Sequence, residues 1–282
     1  MIADMQNSHC VELSGLNVHY WEHGPHLPKT VVMLRGFRSS DEGLMSLAAQ
    51  FSDFHLIIPD FPGYGQTDEL TIPHTVSAYA KVIFDLLISL KLKEITLIGH
   101  SFGGLVALVC ASQHPELISK LVLIAPVSKP NIISRFTSLY YIIGRVLPEP
   151  LGRHWLTSRS IHQPIRNYVV RTQDPQLHAQ IMSEGERELK ELRPNINIEN
   201  YLSLINFDPT QWLEQLEVHA LVIAGDKDRL TRPSDIIDTY SSEMVTIKII
   251  EGLGHYSPTE NPAELRQLCQ AWFSEETGKI NP

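Results

Sequence analysis

The chain has few cysteines: 3 in 282 residues, at Cys10, Cys110 and Cys269. They are odd in number, lie far apart and form no CxxC pair, so the sequence predicts reduced thiols and not a disulfide framework. The sequence also lacks a Cys/His cluster with the spacing of a metal site. We therefore expect a protein that folds without cross-links and works without a metal or another cofactor.

Long apolar runs are missing as well. No stretch approaches the roughly 18 apolar residues that a membrane-spanning helix needs. Residues 1–10 have neither the basic start nor the apolar run that is typical of a signal peptide. These absences predict a soluble, cytoplasmic protein without a transmembrane segment.

Positive charge is scarce too, since 23 Lys and Arg stand against 32 Asp and Glu, for a net charge of −9. Binding to a phosphate backbone needs a basic surface, so nucleic acid is not expected as a partner. The sequence contains no low-complexity tract and no repeat of solenoid period. With 43% hydrophobic residues, the chain has enough apolar surface for a large core, and it predicts one α/β domain with an insertion.

One stretch organises the rest of the chain. An apolar run at 95–98 leads into Gly-His-Ser-Phe-Gly at 99–103, and an apolar helical pattern follows at once. This order predicts a buried strand that turns directly into a helix, with Ser101 at the corner. Side chains two residues before and after such a corner come too close to the serine, which explains Gly99 and Gly103. The first amides of the helix favour negative charge beside the serine, and His100 is expected to face the opposite side of the corner.

The corner resembles the nucleophile turn of the α/β-hydrolase superfamily. The sequence Asp60-Phe-Pro-Gly-Tyr-Gly65 is similar to the D-x-x-G-x-G loop of that superfamily, and the resemblance covers nearly the whole chain apart from a central segment. It implies an α/β architecture of the α/β-hydrolase fold. That fold is a mostly parallel, twisted eight-stranded sheet flanked by helices, with a helical cap inserted after strand 6.

The same resemblance assigns an acid and a base to Ser101. A predicted strand at 219–225 is followed by Asp226-Lys-Asp228, and the superfamily pattern assigns the triad acid to Asp228, with Asp226 as its competitor. His255 follows the last predicted strand, and of 13 histidines it alone has the expected loop and the order Ser, Asp, His. Ser101, Asp228 and His255 are therefore the predicted catalytic residues.

The loop after the predicted strand at 30–34 reads Arg35-Gly36-Phe37, where the superfamily usually has His-Gly-X. By resemblance, the backbone N–H groups of Phe37 and Phe102 form the oxyanion hole, a task that suits donors fixed before the reaction. Arg35 departs from the pattern. It either pairs with a nearby carboxylate as structural support or reaches the pocket and selects an anionic substrate.

From residue 127 to 207 the chain stops alternating strand and helix and becomes helical in pattern. The resemblance implies that 127–207 is a helical cap, or lid, on a core domain formed by 1–126 and 208–282. Between residues 128 and 171, seven Lys or Arg stand against one acid, Glu149. The helix predicted over 131–147 is either an ordinary packing helix or a surface that offers apolar contact to an acyl chain and positive charge to an anionic head. Phe136 and Tyr140 on this helix are candidate substrate contacts.

The predicted chemistry is hydrolysis of a small-molecule carboxylic ester through an acyl-enzyme intermediate. A basic, apolar cap favours a substrate that is anionic or bears an acyl chain. Serine at the corner disfavours dehalogenase and epoxide hydrolase chemistry, which in this superfamily uses an aspartate there. Thioester hydrolysis and cleavage of a carbon–carbon bond stay open. The second is disfavoured because Tyr256, a further candidate substrate contact, stands where such enzymes usually have tryptophan. A weakly catalytic ligand-binding protein is the alternative from another class.

Overall fold

The computed structural model describes residues 7–37, 41–128, 132–148 and 150–274, and at residues 41–43 and 132–137 it describes the backbone alone. In this part of the chain no helix is both long enough and apolar enough to cross a lipid bilayer.

The described residues form eight strands, which join in one sheet. The strands are β1 (Ser8–Leu13), β2 (Leu16–His23), β3 (Thr30–Leu34), β4 (His55–Pro59), β5 (Ile95–His100), β6 (Ile118–Ile124), β7 (Ala220–Gly225) and β8 (Val245–Ile250). Their order across the sheet is β1-β2-β4-β3-β5-β6-β7-β8. β2 pairs antiparallel with β1 and β4, and every other pair is parallel. The prediction of an eight-stranded, mostly parallel sheet is confirmed.

The first two strands form a hairpin. Its turn consists of Ser14 and Gly15, whose φ angles are 53° and 86°. Positive φ at both central residues is the signature of a type I′ turn, whose twist matches that of the flanking strands. The hairpin adds the antiparallel edge to the sheet.

The described residues also form twelve α-helices. They are α1 (Asp41–Ala48), α2 (Val76–Ser89), α3 (Phe102–Gln113), α4 (Ile132–Val146), α5 (Leu151–Leu156), α6 (Arg159–Val169), α7 (Pro175–Glu191), α8 (Pro194–Ile205), α9 (Thr210–Leu213), α10 (Pro233–Tyr240), α11 (Ser257–Glu260) and α12 (Pro262–Ser274). Side chains of α2, α3 and α10 cover one face of the sheet, and those of α1 and α12 cover the other. Because both faces are covered, the central strands are apolar along most of their length.

Helix α3 is the most deeply buried helix next to the sheet. Residues 102–111 are buried without interruption, so this helix has no polar face toward solvent. A helix that is apolar all round is held by packing on every side. The start of α3, and with it the corner at Ser101, is therefore fixed by the core.

Helices α4 to α9 lie between β6 and β7, and the described residues of this stretch contain no strand. Two polar contacts join α8 to the start of α2 and to the loop before it. The Oε2 atom of Glu199 accepts from Nδ1 of His74 at 2.7 Å, and Oγ of Ser203 accepts from the N–H of Val76 at 2.9 Å. These contacts fix α8 to the part of the chain that forms the sheet and its flanking helices.

Candidate active site

The corner between β5 and α3 carries a buried serine in a strained conformation. Ser101 has φ 52° and ψ −116°, and its N–H donates to the carbonyl of Ile124 on the neighbouring strand at 2.9 Å. Positive φ costs free energy for a residue with a side chain, and such strain concentrates at functional sites. The strand, the corner and the helix are those that the sequence predicts.

The two glycines around Ser101 are needed for a reason that differs from the predicted one. A Cβ atom on Gly99 would overlap the carbonyl of Gly103, and a Cβ atom on Gly103 would overlap the carbonyl of Arg35 at the end of β3. The close approach is thus between the start of α3 and the ends of β5 and β3. Backbone atoms, and not Ser101, therefore leave no room for a side chain at Gly99 or Gly103.

Replacing Gly103 with alanine is expected to lower the free energy of unfolding by about 1–3 kcal/mol relative to Gly104→Ala, because the new methyl group meets backbone that has no room to move. At Gly104 a Cβ atom would lie 3.2 Å from the nearest neighbour, the Cβ of Pro126. Both variants change glycine to alanine in the same helix, so helix propensity cancels in the comparison. Urea unfolding measures the difference, and equal stabilities of the two variants would refute the steric argument.

A chain of two hydrogen bonds links three side chains that are distant in sequence. Nδ1 of His255 lies 2.8 Å from Oδ2 of Asp228, and Nε2 of His255 lies 3.1 Å from Oγ of Ser101. A carboxylate only accepts hydrogen bonds, so the proton sits on Nδ1 and the lone pair of Nε2 faces the serine hydroxyl. Asp228 follows β7 and His255 follows β8, and the carboxyl ends of parallel strands meet at one edge of the sheet.

The carboxylate of Asp228 is held in place by its own loop. Oδ1 accepts from the N–H groups of Leu230 and Thr231 at 2.7 and 2.9 Å, and Oδ2 accepts from Oγ1 of Thr231 at 2.6 Å. Burial acts to raise the pKa of Asp228, but the charge of His255 and these hydrogen bonds outweigh it and lower the pKa below its ordinary value. Asp228 is therefore ionised beside His255.

Asp226, the competing acid, has other hydrogen-bond partners. Its Oδ1 accepts from the N–H of Gly252 at 2.6 Å, and its Oδ2 pairs with Nζ of Lys227 at 2.5 Å. These bonds join the loop after β7 to the loop after β8. Of the two aspartates, Asp228 is the one whose carboxylate meets His255.

The pKa of His255 is set by two opposing effects. Burial acts to lower it, whereas the charge of Asp228 and the hydrogen bond to Asp228 act to raise it, and the net result is a pKa above the ordinary histidine value. The carboxylate thus makes the imidazole a stronger base than an isolated buried histidine. A stronger base accepts the proton of Ser101 more readily.

Two further residues, His100 and Glu260, contact the loop of His255. Nε2 of His100 donates to the carbonyl of His255 at 2.9 Å. The prediction was that His100 faces the opposite side of the corner, and this bond shows that its ring also contacts the loop of His255. Burial and the nearby charge of His255 lower the pKa of His100 to about 4, so His100 is neutral. Oε2 of Glu260 accepts from the N–H of Gly254 at 2.5 Å, while its buried Oε1 has no hydrogen-bond partner among the described residues.

The two residues that resemblance assigns to the oxyanion hole flank the corner. Phe102 is the first residue of α3, and the ring centroids of Phe37 and Phe102 are 6.3 Å apart. A Cβ atom on Gly36 would lie 3.4 Å from Cβ of Ser101, so the backbone just before Phe37 runs directly against the serine. Both backbone segments therefore border Ser101.

Arg35 lies in a buried ion pair. Its Nη1 atom is 3.4 Å from Oδ1 of Asp60, and its guanidinium lies over the ring of Tyr64 at 5.3 Å from the centroid. Asp60 also accepts from the N–H of Gln66 at 3.1 Å, which braces the loop that the sequence matches to the superfamily. These contacts favour the structural alternative for Arg35 over selection of an anionic substrate.

Replacing Arg35 with methionine is expected to lower the free energy of unfolding by about 3–5 kcal/mol, because it leaves the charge of Asp60 buried without its partner. Lys81→Met breaks the exposed pair with Asp85, whose Nζ–Oδ2 distance is 2.7 Å, and it should cost less than about 1 kcal/mol. Urea unfolding of both variants measures the contrast. If Arg35→Met is as stable as Lys81→Met and loses only its preference for anionic esters, the alternative role of Arg35 in the pocket is correct.

The remaining predicted substrate contacts lie at different depths. Tyr256 is next to His255, with ring centroids 6.0 Å apart, and the guanidinium of Arg166 lies 5.7 Å from the Tyr256 ring. Tyr140 lies in an aromatic cluster among the helices between β6 and β7, where its hydroxyl donates to the carbonyl of Leu156 at 2.7 Å. Phe37, beside the corner, packs against the same cluster. The side chain of Phe136 lies outside the described residues.

The adjacent residue on α4, Tyr141, contacts Phe37. The ring of Tyr141 lies 6.3 Å from the ring of Phe37, measured between centroids, and it stacks on Tyr201 of α8 at 4.2 Å. Helical periodicity predicts α4 but does not decide which of two adjacent tyrosines contacts Phe37. Helix α4 thus reaches the corner through Tyr141.

Comparison with known proteins agrees with this fold. The family model of the alpha/beta hydrolase fold matches residues 29–142, and the Esterase family model matches residues 88–204. The hydrolase YugF of Bacillus subtilis is 27% identical over 267 residues, which cover 89% of this chain and 92% of that protein. Human epoxide hydrolase 4 is 23% identical and aligns with 96% of this chain and 80% of its own length.

The solved structures include an esterase, EaEST from Exiguobacterium antarcticum, that superposes with a TM-score of 0.80 at 17% identity, covering 94% of this chain and 99% of that one. The chain therefore has the α/β-hydrolase fold, and the match at residues 29–142 supports membership of that superfamily. The match to the Esterase family model, together with the hydrolase relatives, supports an ester-hydrolysing enzyme.

Proposed function

We propose that the protein is a serine hydrolase that cleaves a carboxylic ester through an acyl-enzyme intermediate. Ser101 is the nucleophile, His255 is the general base and acid, and Asp228 orients His255. The observation that carries the proposal is the pair of hydrogen bonds from His255, at 3.1 Å to Ser101 and 2.8 Å to Asp228. These are the distances at which a base takes a proton from a nucleophile while a third group holds the base.

The first half of the reaction forms the acyl-enzyme. Nε2 of His255 takes the hydroxyl proton of Ser101 as Oγ forms a bond to the ester carbonyl carbon. The resulting imidazolium is stabilised by the ionised carboxylate of Asp228, whose pKa is lowered. When the tetrahedral intermediate collapses, the bond to the alcohol oxygen breaks, and Nε2 returns the proton to the leaving alcohol.

The oxyanion of the tetrahedral intermediate needs hydrogen-bond donors on the side opposite the base. We assign this role to the backbone N–H groups of Phe37 and Phe102. The position of Phe102 at the start of α3 supports the assignment, because free N–H groups and the positive end of the helix dipole are found there. Donors of this kind contribute roughly 3–4 kcal/mol to the transition state in acyl-transfer enzymes.

The second half of the reaction releases the acid. Water replaces the alcohol, and Nε2 of His255 takes its proton as the water oxygen attacks the acyl carbon. The bond between the acyl carbon and Oγ then breaks, and the proton returns to Ser101. The products are one alcohol and one carboxylic acid for each ester and water consumed, and no step requires a cofactor.

Helices α4 to α8 act as a cap in this proposal. The cap comprises residues 127–207, and the core comprises 1–126 and 208–282. The contact between Tyr141 of α4 and Phe37 beside the corner supports the idea, because one of these helices then lies next to the corner of Ser101. Tyr256, at 6.0 Å from His255, is the predicted substrate contact with the best geometric support.

Two related reactions use the same machinery. Thioester hydrolysis needs only a different leaving group, so it stays the nearest alternative, and carbon–carbon hydrolysis needs a ketone substrate. Epoxide opening in this superfamily proceeds through an aspartate at the corner. This chain has Ser101 at that position, although it is 23% identical to human epoxide hydrolase 4. A binding protein with little turnover is the alternative outside enzymes.

The experiment that tests the proposal measures turnover of p-nitrophenyl esters of increasing acyl length, with neutral and anionic acyl groups, and of acyl-CoA thioesters of matched length. The proposal predicts that the esters are hydrolysed with the higher kcat/KM. A preference for thioesters at every chain length would assign the protein to the thioesterases. Absence of turnover with all substrates would favour the binding protein.

The acid limb of the pH profile is expected to lie above the ordinary histidine pKa of about 6.5, because the pKa of His255 is raised. The neutral imidazole is the active form, so kcat/KM falls as the pH drops through this pKa, and a raised pKa moves the fall to higher pH. Measurement of kcat/KM from about pH 5 to pH 9 locates the limb.

Glu260→Gln is the matched control for this profile. The charge of Glu260 contributes to the raised pKa of His255, and the amide oxygen of glutamine still accepts from the N–H of Gly254. The limb should therefore move to lower pH in the variant while the loop keeps its hydrogen bond. A wild-type limb at or below the ordinary value contradicts the account of His255.

A further inference from the structure

Helix α4 has two apolar faces, and only one of them is packed. Tyr140, Tyr141 and Gly144 lie on the buried face, where Gly144 packs against the side chain of Leu156. The opposite face carries a second apolar stripe, formed by Leu139, Ile142 and Val146. Positions i, i+3 and i+7 lie on one side of a helix, so these three side chains form a continuous row.

The second stripe is exposed. Leu139 is 56% exposed, Ile142 is 52% exposed and Val146 is 72% exposed. Leu151, which begins α5, is 58% exposed, and its neighbour Gly152 packs against the backbone at the end of α4. We call Leu139, Ile142, Val146 and Leu151 the α4–α5 patch. Scattered exposed apolar residues need no explanation, but a contiguous group of this size marks an interaction site.

The charge around the patch is positive. Arg145 and Arg153 lie on the same two helices and are exposed. Further along the chain, Arg159 pairs with Glu186 and Arg166 pairs with Glu188, so helix α7 neutralises those arginines.

Within the described residues, no ion pair joins Arg145 or Arg153 to an acid. In the sequence, Glu149 is the one acid between residues 128 and 171, on a chain of net charge −9. The patch is therefore a local positive surface on an acidic protein.

We infer that the α4–α5 patch docks the protein on the surface of an anionic phospholipid bilayer. A helix that lies in the interface buries its apolar row among the acyl chains and directs its arginines to the anionic headgroups. Apolar and basic residues on the same exposed helices meet both requirements, whereas an anionic small molecule would need only the arginines. A protein partner of acidic, apolar surface is the competing occupant, and the experiment below separates the two.

Docking by this surface has a consequence for the site at Ser101. This consequence, unlike the docking, rests on the proposed function. The buried face of α4 reaches Phe37 through Tyr141, at 6.3 Å between ring centroids, so the same helix meets the bilayer on one side and the corner of Ser101 on the other. An ester with a long acyl chain, held in the bilayer, would be delivered close to the nucleophile. The docking itself does not depend on turnover.

The inference is tested by flotation of the full chain with vesicles of phosphatidylcholine alone and with vesicles that contain about 30% phosphatidylglycerol, a composition that mimics an anionic leaflet. The protein should float with the anionic vesicles and bind neutral vesicles at least about tenfold more weakly. The triple variant Leu139→Ser, Ile142→Ser, Val146→Ser and the double variant Arg145→Glu, Arg153→Glu should each bind the anionic vesicles at least about tenfold more weakly than wild type.

A matched control removes equally exposed apolar side chains from elsewhere on the surface. Ile72, Ile88 and Ile237 are 60%, 50% and 46% exposed, and their replacement by serine should leave vesicle binding unchanged. Thermal unfolding verifies that each variant is folded. Absence of flotation with anionic vesicles, or equal loss in the control, overturns the inference. A concentration-dependent dimer that the triple serine variant abolishes would also overturn the inference, because a second copy of the chain would then cover the α4–α5 patch. None of these results bears on ester hydrolysis, which is measured separately in the absence of lipid.

Discussion

Replacing Ser101 with alanine is expected to lower kcat for ester hydrolysis by about 10⁵-fold or more, because it removes the nucleophile of the proposed mechanism. The fold should persist, since the glycines and the buried helix α3 that hold the corner are unchanged, and the stability should stay within about 1 kcal/mol of wild type. Steady-state kinetics with the best p-nitrophenyl ester measures the first effect, and urea unfolding measures the second.

Ser112→Ala is the matched control for that variant. Ser112 lies near the end of the same helix, and its Oγ donates to the carbonyls of Leu108 and Trp212 at 2.9 and 2.8 Å. The substitution is chemically identical, but it lies away from His255, so kcat should stay within about twofold of wild type. Substantial turnover by Ser101→Ala, at a tenth of the wild-type rate or more, would show that another group attacks the substrate.

Replacing Asp228 with asparagine is expected to lower kcat by about 10⁴-fold through the wrong tautomer of His255. The N–H groups of Leu230 and Thr231 both point at Oδ1 of Asp228, at 2.7 and 2.9 Å, so the amide oxygen of asparagine must occupy that position. The amide nitrogen then faces Nδ1 of His255 and donates to it. The proton of the imidazole moves to Nε2, which can no longer accept the proton of Ser101. Steady-state kinetics and a crystal structure of the variant check the loss and its cause.

The pH profile of the same variant gives a second readout. Loss of the negative charge removes a main cause of the raised pKa of His255, so any residual activity should have its acid limb at lower pH than wild type. Asp226→Asn is the control, because its carboxylate contacts Gly252 and Lys227 and not His255. If Asp226→Asn were the more damaging substitution, the assignment of the triad acid would be wrong.

The corner at Ser101 could be predicted from the sequence because its requirements are local. A strand, a serine between two glycines and a helix follow one another without interruption, and the superfamily pattern supplies the rest. The sheet could be predicted for a similar reason, since each buried strand is a short apolar run between loops. The short helices α1, α10 and α11 were not predicted, because their few turns leave too weak a periodic signal.

Contacts across the chain were harder to predict. The choice between Asp226 and Asp228 depends on which carboxylate faces His255, which is 27 residues after Asp228. Residue types alone could not make this choice, so it was made by resemblance to the superfamily. His100 bonds to a backbone carbonyl and Glu260 bonds to a backbone N–H, and a backbone partner leaves no trace in the sequence. The partner of Arg35 is 25 residues away, in another loop, so its ion pair could only be stated as one of two alternatives.

Apolar periodicity also has a limit in α4. It predicted the helix and its apolar character, but both faces of α4 are apolar, and the pattern does not distinguish the face that packs from the face that is exposed. Tyr140 was therefore named as a substrate contact, whereas Tyr141 is the tyrosine that meets Phe37. The packing of neighbouring helices decides such a question, and that packing is not encoded within one helix.

Intact-protein and peptide mass spectrometry after reaction with a fluorophosphonate probe tests the central claim most directly, since the probe forms a covalent bond only with an activated nucleophile. The account predicts one phosphonyl adduct per chain, located on Ser101, formed at a rate that falls as His255 becomes protonated, and absent from Ser101→Ala. An adduct on another residue, or rapid ester turnover by a chain that Ser101 labelling has fully blocked, would contradict the account.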